Sequence, residues 1–158
     1  MNKYMEKAIE TAQDAAECGE IPVGALIVRG GEIIAKAANT VERDSCPLCH
    51  AEMNAIAQAT KICGKYLDDC DMYVTLEPCA MCTGAIINAR LKRLYIGAAE
   101  PNMGCCGSRY DLITANPLCA NMEVYHGIGE SKAKKLMKVF FEKLRSSNNK
   151  SNNKSNNN

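Results

Sequence analysis

No apolar run in this 158-residue chain is longer than a few residues, so nothing in it can cross a bilayer as a helix. No secretory leader is expected, because MNKYMEKAIETAQDA carries charges where a leader needs an apolar stretch. Net charge is nearly absent at +1, so the overall balance names no partner. Histidine is scarce, with two in the whole chain. Together these absences set aside a membrane protein and make the cytoplasm the expected location.

Cysteine, by contrast, is plentiful at ten residues. In a chain expected to be cytoplasmic these read as reduced thiols, a few of them metal ligands, and not as a disulfide framework. A composition 47% hydrophobic and 23% charged suits a single globular domain large enough for a substantial core. Charge is unevenly spread: from Glu130 onward there are eight Lys/Arg against two acidic residues, and before it eleven against sixteen. That asymmetry points to an anionic partner near the C-terminus, or to a solvated helix face followed by a solubilising tail.

Periodicity outlines the elements. Tyr4, Met5, Ala8, Ile9, Ala12, Ala15 and Ala16 mark a helix over 3–18 with one buried face. GALIV (24–28) and IIAKA (33–37) flank RGGE and predict a hairpin, with Gly30 and Gly31 in the turn. A polar loop over 39–47 precedes a helix starting near His50 or Ala51. MYVTL (72–76) predicts a buried third strand, ended by Pro78 at the first position of the helix CAMCTGAIINA. RLYIG (93–97) predicts a fourth strand, 98–121 a long loop, and MEVYHG a fifth strand. Ala133, Leu136, Met137, Phe140, Phe141 and Leu144 mark a last amphipathic helix. The stretch 146–158 has no apolar residue to bury and is expected to be a disordered tail behind a single domain, 1–145. Alternating strands and helices with an initial hairpin imply an α/β domain on a mixed central sheet.

Two cysteine pairs compete for a metal. Cys79 and Cys82 are three apart at a predicted helix start, where one face and a lowered thiol pKa suit zinc. Taken alone, the pair also reads as buried small hydrophobes or as a redox motif. With His50 it makes a three-ligand site whose fourth position is free for water, and zinc brings such a water toward neutral pKa. Glu52 then supplies the carboxylate that moves protons, provided His50 sits in the first turn, since residues two apart in a regular helix do not share a face. The rival is a closed four-thiolate site from Cys46, Cys49, Cys79 and Cys82, which would make a structural zinc module. Its 29 intervening residues exceed the usual ribbon spacing, and it leaves His50 and Glu52 idle.

His50-Ala51-Glu52 followed by Pro78-Cys79-Ala80-Met81-Cys82 resembles the zinc-dependent cytidine and nucleobase deaminases. PVGALIV, the Asn39 loop, HAEMNAI, YVTLEPCAMCTGAI, IGA and GCCGS resemble, in order and spacing, the bacterial tRNA-specific adenosine deaminases over residues 3 to about 145. The resemblance implies a three-layer cytidine-deaminase-like fold with a five-stranded mixed sheet and helices on both faces. It implies hydrolytic deamination of adenosine to inosine at the wobble position of a tRNA anticodon, in a homodimer with one zinc per subunit. His50, Cys79 and Cys82 would hold the zinc, and Glu52 would shuttle protons to N1 and to the departing ammonia. Asn39 matches a residue that reads the flipped base, Val23 one lining the base pocket, and Glu100 one near the nucleotide sugar.

Departures lie outside those positions: Cys46-Pro47-Leu48-Cys49 leads into the histidine, and Cys105-Cys106 replace small residues after the fourth strand. Guanine, cytosine and deoxycytidylate deaminases share parts of the pattern, so a free nucleobase or nucleotide is the alternative substrate. A non-catalytic zinc-containing RNA-binding module is the alternative of another class. Lys132, Lys134, Lys135, Lys138, Lys143 and Arg145, beside the last helix's apolar stripe, suit phosphates and favour RNA. An unstacked anticodon base is also cheaper to extrude into a pocket.

Overall fold

The computed structural model describes residues 2–155, with side chains through residue 149. Helix α1 (Lys3–Glu17) starts at Asn2, whose Oδ1 accepts from the backbone N–H groups of Tyr4 and Met5. Its buried face carries Met5, Ala8, Ile9 and Ala12. Strands β1 (Gly24–Arg29) and β2 (Glu32–Ala38) form the expected hairpin. Gly30 and Gly31 turn it with φ of 58° and 87°, the pair of positive angles that a two-residue turn requires.

A short helix, α2 (Val41–Asp44), occupies part of the stretch read as a polar loop. Its reason is remote: Glu20 accepts from the backbone N–H groups of Glu42 and Arg43, a cap that the local sequence does not carry. Then follow α3 (Ala51–Cys63), β3 (Cys70–Leu76), α4 (Ala80–Ala89), β4 (Arg93–Ala98), β5 (Glu123–Tyr125) and α5 (Glu130–Ser155). Pro78 is not the first helical residue as expected. Cys79 is the N-cap of α4, which moves Pro78 one place outside the helix.

The five strands lie in the order β2-β1-β3-β4-β5. β1 pairs antiparallel with β2 and β3, while β3, β4 and β5 run parallel, so the sheet is mixed. Helices α3 and α4 cover one face, where Ala51, Ala55 and Ala59 bring α3 close to Ile27, Met72 and Val74. On the other, α1 lies over Leu26, Val28 and Tyr73, and α5 packs beside it on β3 and β4. This is the three-layer α/β architecture expected from the sequence. Parallel β3 and β4 open their carboxyl ends to one edge, the customary place for a ligand in such sheets.

Helix α5 continues to Ser155, past the Arg145 boundary where a disordered tail is expected. Nothing after Arg145 is Gly or Pro to stop it, and the hydroxyls of Ser146 and Ser147 donate back to the carbonyls of Glu142 and Lys143, both at 3.0 Å. Residues 156–158 of the expected tail lie outside the described residues. Among the described residues, no helix is long and apolar enough to cross a membrane.

Candidate active site

Two helix starts meet at the carboxyl end of β3. His50 is the N-cap of α3 and Cys79 the N-cap of α4, both in extended backbone, and neither side chain caps its own helix. Both are therefore free to point across the gap between the helices. Cys82 follows in the first turn of α4 and is fully buried. His50 Nδ1 lies 3.7 Å from Cys79 Sγ and 3.5 Å from Cys82 Sγ. Tetrahedral zinc, with bonds of about 2.0–2.1 Å to nitrogen and 2.3 Å to sulfur, spaces such atoms about 3.6 Å apart. The donor set fits the metal in both chemistry and spacing. Among the described residues, this is the one group of three or more His, Cys, Asp or Glu close enough to share an ion. Cys46 and Cys49 are not drawn into it; they form a turn in which Cys49 N–H donates to the Cys46 carbonyl at 3.2 Å.

The thiols are electrically unequal. Cys79 is brought down to about 5, first by the Cys82 side chain, then by the backbone N–H groups of Cys82 and Met81 and by His50, against the effect of burial. Cys82 is pushed up by the same shared hydrogen bond and by burial. The shared hydrogen bond thus favours the thiolate at Cys79, the sulfur at the helix N-terminus, over Cys82. A divalent cation there stabilises both as thiolates.

Glu52, only 4% exposed, sits in the first turn of α3 and faces the same cavity as His50 and Cys79. Because His50 is the N-cap with an extended backbone, the helical spacing that would separate the two does not apply. Burial raises the Glu52 carboxyl to about 7, where a group both accepts and releases protons at neutral pH.

The cavity measures about 290 Å³. Val23, Asn39 and Glu100 all line it, together with Ile21, Leu76, Glu77, Met103, Met137 and Phe141. Met137 and Phe141 belong to the stripe of α5 that reads in sequence as ordinary core. Ile21 and Met103 come from irregular segments with no period to reveal them.

Glu77 is the most consequential residue that sequence reasoning leaves without a role. It is 3% exposed and accepts from the backbone N–H groups of Glu100, Cys106 and Ser108, each at 3.0 Å. Burial acts to raise its pKa. Hydrogen bonds from the Ser108 side chain and from those backbone N–H groups outweigh it and hold the carboxyl below its usual value. Gly104 packs against this carboxylate so closely that an added Cβ would lie 2.5 Å from Glu77 Cδ. Glu77, two residues before Cys79, thus ties the loop after β4, which carries Glu100 and Met103, to the start of α4. Asn54 does a similar service before His50, its Nδ2 donating to the Ala38 and Cys49 carbonyls and to Thr40 Oγ1.

The family model of the MafB19-like deaminases matches residues 1–145. The tRNA-specific adenosine deaminase of Bacillus subtilis (strain 168) is 40% identical over 143 residues, covering 90% of this chain and 89% of its own. The chain belongs to this deaminase family. A solved structure from work on A-to-I editing by tRNA:A34 deaminases at the wobble position of transfer RNA superposes on the deaminase with a TM-score of 0.77. It is 37% identical, over 84% of this chain and 97% of that one. The guanine deaminase of Bacillus subtilis is 41% identical over 63% of this chain and 66% of its own, with a TM-score of 0.59. On the deaminase's outer surface, Lys132, Lys134 and Lys138 of α5 each pair with a carboxylate, at 3.8, 2.5 and 3.9 Å. Lys135, Lys143 and Arg145 are exposed and make no ion pair among the described residues.

Proposed function

We propose that this deaminase converts adenosine to inosine at the wobble position of a tRNA anticodon, releasing ammonia. The observation that carries the reading is the open donor set of His50, Cys79 and Cys82 with buried Glu52 on the same cavity. Likeness to tRNA-specific adenosine deaminases along nearly the whole chain supports the substrate. His50, Cys79 and Cys82 would hold one zinc per subunit; zinc, when bound, acts as a Lewis acid that makes water a nucleophile near neutral pH.

The protein's own groups do the rest. Glu52 takes a proton from the attacking water and delivers it to N1 of adenine as the C6–O bond forms. It then passes a second proton from the new hydroxyl to the amine, and the C6–N bond breaks to give inosine and ammonia. Asn39 and Val23 hold the base in the cavity, with Glu100 toward its sugar. Residues 1–145 are the catalytic domain, acting as a homodimer in the cytoplasm, and the cations of α5 meet the phosphates of the anticodon stem-loop.

Incubation of the zinc-loaded protein with an anticodon stem-loop bearing adenosine at the wobble position is expected to yield inosine, read by mass spectrometry of the digested RNA. Turnover of free guanine, cytosine or deoxycytidylate with no inosine in RNA would overturn the substrate.

A further inference from the structure

Glu20 lies in the turn between α1 and β1, outside every motif, and is 3% exposed. Its Oε2 accepts from Asn39 Nδ2 at 3.2 Å and from the Glu42 backbone N–H at 3.2 Å. Its Oε1 accepts from the Arg43 backbone N–H at 2.7 Å. Three donors from the segment leading to His50 converge on one buried side chain, the compensation that a buried carboxylate requires.

The consequence falls on Asn39. Its backbone is held by its N–H to the Val23 carbonyl at 3.1 Å, so the turn of its amide is the freedom that remains. Rotating that amide by half a turn would set Oδ1 against Glu20 Oε2, acceptor facing acceptor. One orientation therefore persists, with the NH2 on Glu20. Oδ1 accepts from no described residue, and it is not among the fully buried polar atoms without a partner. Asn39 lines the cavity with His50 and Glu52.

We propose that Glu20 is a positioning residue for substrate recognition. It fixes the Asn39 amide so that Oδ1 meets the bound nucleoside as a hydrogen-bond acceptor, and it couples that amide to α2. The inference rests on the deaminase reading above and adds a specificity element to it: a site built around a fixed acceptor discriminates strongly against ligands lacking the matching donor.

A double-mutant cycle on Glu20→Gln and Asn39→Ala tests this, with KM and kcat for inosine formation in the anticodon stem-loop measured beside zinc content and Tm. The glutamine has one acceptor oxygen for three donors, and its NH2 permits the amide of Asn39 to turn. Glu20→Gln alone is expected to raise KM about ten-fold with zinc retained, the scale of one misplaced buried hydrogen bond. In the Asn39→Ala background the same change is expected to shift KM by less than about two-fold, since the group it acts through is gone. A ten-fold loss that persists without the Asn39 amide means that Glu20 serves α2 alone, and the proposal fails. If Glu20→Gln does not accumulate folded, Glu20→Asp supplies the same leg of the cycle, keeping both oxygens but shortening their reach. Absence of inosine with the wild-type protein would instead refute the proposed function, so the two failures are distinct.

Discussion

The floor of the cavity comes from two helix starts, and its rim from segments scattered along the chain. On the floor, His50 opens α3 and Cys79 opens α4, with Cys82 and Glu52 in the first turns at 0% and 4% exposure. The rim gathers Ile21, Asn39, Glu100, Met103, Met137 and Phe141 from the turn before β1, the hairpin's end, the loop after β4 and the last helix. Ile21 and Met103 are 43% and 66% exposed. The floor is set by where two helices begin, His50 and Cys79 at the N-caps and Cys82 and Glu52 in the first turns. The rim is held by single side chains, Glu20 and Glu77, whose carboxylates collect stray backbone donors. On the proposed function, chemistry belongs to the first region and choice of substrate to the second. Damage to each is expected to show differently.

The largest effects belong to the floor, and two substitutions there separate metal from proton transfer. Cys82→Ala removes a proposed ligand from a fully buried position, and both zinc and activity are expected to be lost, read by metal analysis and by the inosine assay. Glu52→Ala is expected to keep zinc and fold while kcat falls by about 10³-fold, within the usual range for a positioned acid–base group. A Glu52→Ala protein with substantial turnover would break the assignment of proton transfer to the floor.

Glu77→Gln strikes the joint between floor and rim. Three backbone N–H groups would face a side chain with one acceptor oxygen, leaving about 1–3 kcal/mol of unmet hydrogen bonding. For a chain of this size, a loss of about 2 kcal/mol lowers Tm by about 4–8 °C. Zinc should remain, because no ligand is touched, while kcat/KM falls about ten- to hundred-fold as Glu100 and Met103 lose their anchor. Calorimetry and steady-state kinetics with metal analysis read these together. Release of zinc would show that floor and rim are one unit after all.

The same division explains how much the sequence discloses. His50, Glu52, Cys79 and Cys82 stand in two short motifs, and their geometry follows from where a helix begins, a local property. Asn39, Val23 and Glu100 are legible only through resemblance, since nothing in their neighbourhood says that they face one cavity. Met137 and Phe141 carry the period of core residues and do line a wall, but the wall belongs to the pocket. Glu77 is visible inside the motif, yet its partners lie 23 to 31 residues away and exist only once the loop folds over it. Helix α2 is hidden for the same reason, its cap being Glu20. The run of α5 past Arg145 is hidden because an apolar stripe marks where a helix packs, and this one continues beyond its packed part.

The smallest effects are expected where the rim passes into the outer face of α5. Of its exposed cations, Lys132, Lys134 and Lys138 are already engaged by carboxylates, which weakens their pull on phosphate. Lys135 and Lys143 make no such pair among the described residues and are the better candidates for binding RNA. Lys135→Ala with Lys143→Ala is expected to raise KM about three- to ten-fold at low salt and to leave kcat unchanged. The dependence of log KM on log salt should flatten by about 0.7 for each single-strand phosphate that the protein no longer neutralises. Removing 146–158 takes away two further lysines, Lys150 and Lys154. That truncation is expected to change KM by less than the paired substitution does. If it instead matched or exceeded the effect of Lys135 and Lys143, the end of α5 would be part of the RNA-binding rim, and the catalytic unit would extend beyond residue 145.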